Sequence, residues 1–368
     1  MSYNRIKTPR AYVDMMQFLY STGWATPGNL GYGSGTDIAN TPGANIIQND
    51  GATAVTLDSG HIMNLFDGHP NNYIQVAHDT QRFWITLNTG LASPDEMAGT
   101  SFIAFLNHNF ASADAVIKVE IDDVYNMTSD YSITTTGNHT KLINAAVDSA
   151  SNYIDPPYDG WTLIEYPVRE GSNNQYIRIT IEDDGGATSN FDEDVIIGSI
   201  CWGEYHDFGS VSLNATTSYE YDGVNPVESI GGQTYSNAPN LGPPMWYRVP
   251  AWGNYWGDGS SASTYTFAQR YGRKNYSLNF DLLADTATFA ESEYLDNSAT
   301  NNVWDDDSLF GRFLRKTLGS HNPFIFTHDK DSTSEGDYGY YRLLDNGFSA
   351  TQVAHQYWSV GLNFRESW

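Results

Sequence analysis

The sequence predicts a mainly β protein: an N-terminal helix, a jelly-roll-like β-sandwich, then a second β-rich domain with one packed α-helix. Three observations lead there. Aromatic residues make up 14% of the 368-residue chain and charged residues only 17%, and aromatic and β-branched side chains suit a pleated, half-buried surface. Short apolar runs recur between clusters of Gly, Pro, Asn and Asp, the residues that tight turns demand. Some runs also alternate strictly, as in QYIRITIED, where Ile177, Ile179 and Ile181 are separated by polar residues.

The N-terminal stretch TPRAYVDMMQFLYSTGW reads as a helix opened by Thr8-Pro9 and closed by Gly23. Tyr12, Met15, Met16, Leu19 and Tyr20 recur at helical spacing. They cover too much of the surface for a free helix. Tyr12, Met16 and Leu19 are therefore interface candidates, packed on this chain's own core or on a neighbouring subunit, and residues 1–28 read as a helical docking segment.

Residues 29–206 read as the sandwich. After an irregular Gly/Asn/Thr-rich start come the runs GATAVTLD, YIQVAH, RFWITLN, SFIAFLNHNF, AVIKVEI, YSITTT, GWTLIEYPV, QYIRITIED and VIIGSICWGEY. DGHPNN, LASPDE, DPPYDG and DDGGATSN are among the turn signals between them. Residues 207–368 form the second domain. Its strands are SVSLNATTSYEYDG, NYSLNFDLLAD, PFIFTHD, YYRLLD and YWSVGLNFRESW. A helix near 306–318 has Asp305–Asp307 at its positive N-terminal end, an apolar face of Leu309, Phe310, Phe313, Leu314 and Leu318, and Gly319 as its cap.

Charge excludes several functions. Eighteen Lys and Arg face 44 Asp and Glu, a formal charge of −26. Such a field repels phosphate backbones and anionic membrane surfaces, so neither nucleic acid nor membrane is an expected partner. No run approaches the ~20 apolar residues of a membrane span. The start MSYNRIKTPR lacks a signal peptide's apolar core. The expectation is a chain that works where it is made or is released by lysis. One cysteine gives no internal disulfide framework.

The stretch VIIGSICWGEYHDF, residues 195–208, places that cysteine near Glu204, His206 and Asp207. A thiol within an apolar run is an inert core residue when burial raises its pKa. On an extended strand Cys201 and His206 lie ~16 Å apart at ~3.3 Å per residue. Glu204, His206 and Asp207 read as bracing the exit from the sandwich. General acid–base catalysis is the competing reading, because it needs such a pair at a cleft.

Neither His321 and His328 nor His61 and His69 have the spacing of a zinc site. The loop DDGGATSNFDED, Asp183 to Asp194, gathers acidic oxygens without EF-hand spacing. It reads as a solvated turn, with a structural calcium ion as the alternative; no other cofactor is expected. No phosphate loop, nucleophile elbow or nucleotide fingerprint occurs. The loop MWYRVPAWGNYWGDG gathers Trp246, Tyr247, Trp252, Tyr255 and Trp256. These are candidates for a protein interface, where Trp and Tyr serve as anchors. Trp252 and Trp256, with Asn254 and Asp258, are also candidates for stacking on a glycan and binding its hydroxyls.

RIKTPRAYVDMMQFL, SFIAFLNHNF, IIGSICWGEYHDF, YEYDGVNPVESIGGQTYSNA, QRYGRKNYSLNFDLLAD, HNPFIFTHDKD and SVGLNFRESW occur in this order over nearly the whole chain. In these stretches the chain resembles virion structural proteins of tailed bacteriophages, especially those of marine and cyanobacterial hosts. The resemblance implies a non-enzymatic, self-assembling subunit of the virion, assembled in the host cytoplasm and released by lysis. A tail, distal-tail or baseplate position is implied, with other virion proteins as partners and a homo-oligomeric state. The alternatives are a capsid or neck component, or a carbohydrate-binding or host-recognition module or polysaccharide depolymerase with a host surface glycan as partner.

Overall fold

In the computed structural model, the described residues are 6–21, 31–34, 37–39, 46–48, 54–55, 57–88, 100–122, 131–148, 151–167, 176–186, 188–220, 225–237, 273–289, 308–345 and 347–367. The main elements of the first half are β1 (Arg10–Asp14), α1 (Met15–Ser21), β2 (Arg82–Asn88), β3 (Thr100–His108), β4 (Ala115–Asp122), β5 (Lys141–Ile143), β6 (Gly160–Pro167), β7 (Tyr176–Asp183) and β8 (Val195–Asp207). Those of the second are β9 (Thr216–Glu220), β10 (Asn225–Glu228), β11 (Thr234–Asn237), β12 (Arg273–Ala284), β13 (Phe324–Thr327), β14 (Tyr338–Leu343) and β15 (Tyr357–Glu366). A helical segment, α2, runs as a wide π-type turn over Leu309–Leu314 and as α-helix over Arg315–Thr317.

The fold is mainly β, as the residue pattern predicts, and its apolar runs become its strands. β4, β7 and β2 lie side by side in a ten-stranded sheet. The second, 13-stranded sheet has the order β5–β6–β3–β8–β1–β13–β14–β15–β12–β9 along its main path. Ile117, Ile179, Ile181 and Phe83 from the first sheet meet Ile103, Phe105, Ile200 and Trp202 from the second in one buried cluster. That cluster is the core of the sandwich. A second cluster joins Leu278, Phe280, Phe326 and Phe364 to Leu309 and Phe313 of α2.

The N-terminal expectation is corrected. Residues Arg10–Asp14 are strand, and the helix begins only at Met15. RAYVD is buried at every position and pairs antiparallel with β8 on one edge and β13 on the other. A run apolar on both faces mimics a helical repeat when it is a central strand. The side chains of Tyr12 and Met16 are fully buried within this chain, so neither is a free docking residue.

No break in the sheet falls at 206/207. β1 joins β8 to β13, and the large sheet runs without interruption from the first half into the second. A third buried cluster straddles the seam: Tyr12, Phe102, Trp161 and Cys201 pack with Ile325, Tyr338 and Tyr340. The α2 segment is capped by Ser308, whose hydroxyl accepts from the Gly311 N–H at 3.0 Å. The expected acidic turn at Asp305–Asp307 lies outside the described residues. The chain leaves the segment through Leu318 and Gly319, both with positive φ, so the left-handed exit starts one residue before the glycine cap expected from the sequence.

Candidate functional site

The seam between the two halves is built by β1 and β8. Cys201 is buried on β8. Burial, and then the neighbouring Asp14 carboxyl, push its thiol well above the ordinary range. Asp14 ends β1 and opens α1: its Oδ1 accepts from the N–H groups of Met16 at 2.9 Å and Gln17 at 3.4 Å. Burial pushes its carboxyl up to about 7, against the opposing pull of those N–H groups.

Strand alternation separates the acid–base candidates. Glu204 and His206 project to one face of β8, and Tyr205 and Asp207 to the other. Glu204 is fully buried and pairs with Lys316 of α2 at 2.6 Å, with Arg312 at 3.8 Å. His206 lies among rings, 5.0 Å from Phe208 and 6.4 Å from Phe313 between centroids. Burial, followed by the Arg312 charge, lowers its pKa to about 3. A neutral, enclosed imidazole and a carboxylate locked to lysine are poorly placed for proton transfer to an outside substrate. These residues brace the helical segment against the sheet.

On the opposite face, Asp207 takes a forked contact from Arg10, with Nε–Oδ1 at 2.5 Å and Nη2–Oδ2 at 2.9 Å. Burial opposes its ionisation, but the Arg10 bonds outweigh this and hold the carboxyl below its usual range. Arg10 also reaches Glu165 through Nη1 at 2.9 Å and lies 3.8 Å over the Tyr205 ring. Glu165 Oε1 further accepts from the Tyr12 hydroxyl and lies 3.3 Å from Lys141 Nζ. Lys141 donates to the Lys330 carbonyl and to the Tyr338 hydroxyl. Above this network opens a groove of about 630 Å³. Tyr205, Lys141 and His139 line it from the first half, and Lys330, Asp331 and Thr333 from the second.

Sequence reasoning missed this groove, although a signal was present. Glu165 sits in GWTLIEYP, a strand buried at nearly every position, and a charge inside such a run requires a partner. The partners are remote in sequence, so no local motif announces them.

Of the other expected site residues, Leu19 falls in α1, and nothing further is described of its side chain. Trp246, Tyr247, Trp252, Asn254, Tyr255, Trp256 and Asp258 lie outside the described residues. In the acidic loop, Asp183 accepts from the Gly185 N–H at 2.9 Å, and Asp194 binds Gln75 and the His78 backbone. Among the described residues, no group of three or more His, Cys, Asp or Glu side chains is placed to hold a metal ion.

A different surface stands out for its exposure. β10 and β11 pair with each other in a separate two-stranded sheet. Val227 lies opposite Tyr235, so the two share a face, with Ile230 at the tip. Val227 is 64% exposed, Tyr235 59% and Ile230 fully. Tyr219, on the edge strand β9, is also exposed.

No known family matches the chain, and no curated protein does. Solved structures with partial likeness include two of low identity. One is chitosan-binding module 1 derived from a chitosanase/glucanase of Paenibacillus sp. IK-5: 15% identity, 40% of this chain and 92% of that one, TM-score 0.26. The other is CpGH89CBM32-4, produced by Clostridium perfringens, in complex with GlcNAc-α-1,4-galactose: 13% identity, 44% of this chain and 96% of that one, TM-score 0.23.

Proposed function

We propose that the chain is a non-enzymatic structural subunit of a bacteriophage virion, of the tail, distal-tail or baseplate type, that self-assembles and bridges neighbouring proteins. The observation that carries the assembly part is the β10–β11 hairpin. An isolated two-stranded hairpin is marginally stable in water, and this one exposes Val227, Tyr235 and Ile230 together. Apolar surface of that kind marks a contact with another protein. The sequence resemblance supplies the virion setting, where a neighbouring subunit would cover it.

The test is imaging of purified particles together with light scattering of the isolated chain at rising concentration. Ordered density for the chain in the particle, and a mass that grows with concentration, are expected. Replacing Val227, Ile230 and Tyr235 together by Ser should keep the subunit folded and leave it monomeric. Absence from particles combined with a strictly monomeric chain overturns the reading.

A further inference from the structure

The groove at the seam has a chemistry that the assembly reading leaves unused. We propose that it is a binding site for a neutral saccharide. The inference stands apart from the virion role, since a subunit absent from particles can still bind sugar, and the reverse.

The floor holds Arg10 and Glu165, both nearly buried, beside Lys141, and Lys330 and Asp331 stand open above them, so the lining carries charges of both signs. An apolar ligand would strip water from these groups without replacing their hydrogen bonds. A polyanion meets a protein of formal charge −26 and finds the cations engaged: Arg10 by Asp207 and Glu165, Lys141 by Glu165. A cation finds the carboxylates of Glu165 and Asp207 already committed to Arg10 and Lys141. A neutral polyhydroxylated ligand avoids each of these costs. Every hydroxyl both donates and accepts, which suits a wall where donors and acceptors are interleaved.

The site is also pre-oriented. Arg10 is held through Nε, Nη1 and Nη2 and by the Tyr205 ring. Lys141 is tied to the Lys330 carbonyl, which clamps the loop of the second half onto the first. Side chains already fixed lose little freedom when a ligand arrives. Lys330 and Asp331 supply the accessible contacts: the Lys330 side chain is 35% exposed and 3.6 Å from Asp207, and Asp331 lies exposed at the rim.

The experiment applies the full chain to an array of neutral, acidic and amino-bearing glycans, then measures affinity for the strongest neutral ligand by calorimetry. Two double variants are compared with the wild type, Lys330→Ala/Asp331→Ala and Trp252→Ala/Trp256→Ala, each checked for an unchanged unfolding midpoint. Neutral glycans should bind, the first variant should lose at least about tenfold in affinity, and the second should bind like wild type. No neutral binding, binding confined to acidic glycans, or a loss only in the tryptophan variant overturns the proposal.

Discussion

Glu204 and Lys316 are both fully buried and 2.6 Å apart, which makes them the pair whose disruption is most informative. Removing one partner of a buried ion pair costs about 3–5 kcal/mol, and Arg312, 3.8 Å from Glu204, holds the loss of Lys316 to the lower figure. Lys316→Met should therefore lower stability by about 3 kcal/mol in urea unfolding, while Glu204→Met/Lys316→Met recovers much of the loss. A single variant as stable as wild type would mean that the pair is not closed in solution. Asp14 offers a second test at this scale. Its folded pKa of about 7 lies above the roughly 3.9 of an unfolded chain. Between those values the folded state holds a proton that the unfolded state has released, so stability falls as pH rises through that window. Asp14→Asn keeps an acceptor for the Met16 N–H and removes the titration. Urea midpoints at pH 5 to 8 should show wild type losing ground against the variant as pH rises; parallel curves would rule this out. The sequence marks Glu204 as a brace at the exit from the sandwich, but not its partner Lys316, which lies 112 residues away; Asp14 carries no sequence signal of its own.

Among the elements, those read correctly were those whose pattern is local. QYIRITIED alternates and forms β7, and the run from PFIFTHD forms β13. The strand RAYVD was not legible, because its burial on both faces depends on β8 and β13, neither of which adjoins it in sequence. The glycines of VIIGSICWGEYHDF carry a clue that becomes readable only once the pairing is known. A Cβ added at Gly203 would stand 2.2 Å from the Val13 carbonyl oxygen and 2.8 Å from the Met15 nitrogen. Both are backbone atoms and cannot swing aside. Gly203→Ala should therefore pry β1 from β8 and cost about 3 kcal/mol, the upper end of ordinary overpacking. Gly231 on the exposed hairpin tip meets nothing closer than 4.0 Å, so Gly231→Ala is the matched control. Equal midpoints for the two variants would show that β1 is not seated tightly on β8.

At the scale of the whole molecule, the sequence divides the chain into a sandwich at 29–206 and a second domain at 207–368, and the apolar side chains of the two halves do largely gather in separate cores. The hydrogen bonds cross that line. β1 belongs to the first half by sequence and, among the described residues, lies between β8 and β13 in the large sheet's main path. Ala11 and Val13 on one of its faces pack into the second core, while Tyr12 on the other packs into the seam cluster. Glu204 reaches Lys316, and Lys7 binds Asp329 at 2.5 Å. A fragment of residues 209–368 would lack the strand that covers the open edge of β13 and would leave Lys316 without Glu204. A fragment of residues 1–208 would expose the far edge of β1, an unpaired strand edge prone to association. Each fragment alone should be insoluble or molten, whereas the two co-expressed should reassemble into a soluble complex. The intact chain should then unfold in one calorimetric transition. A fragment that folds independently, or two separated transitions in the intact chain, would restore the two-module view. The coupling also bears on the groove, whose walls come from both halves: ligand that grips Lys330 and Asp331 against Lys141 and Tyr205 should raise the midpoint of that single transition, because it binds the assembled seam and neither half alone.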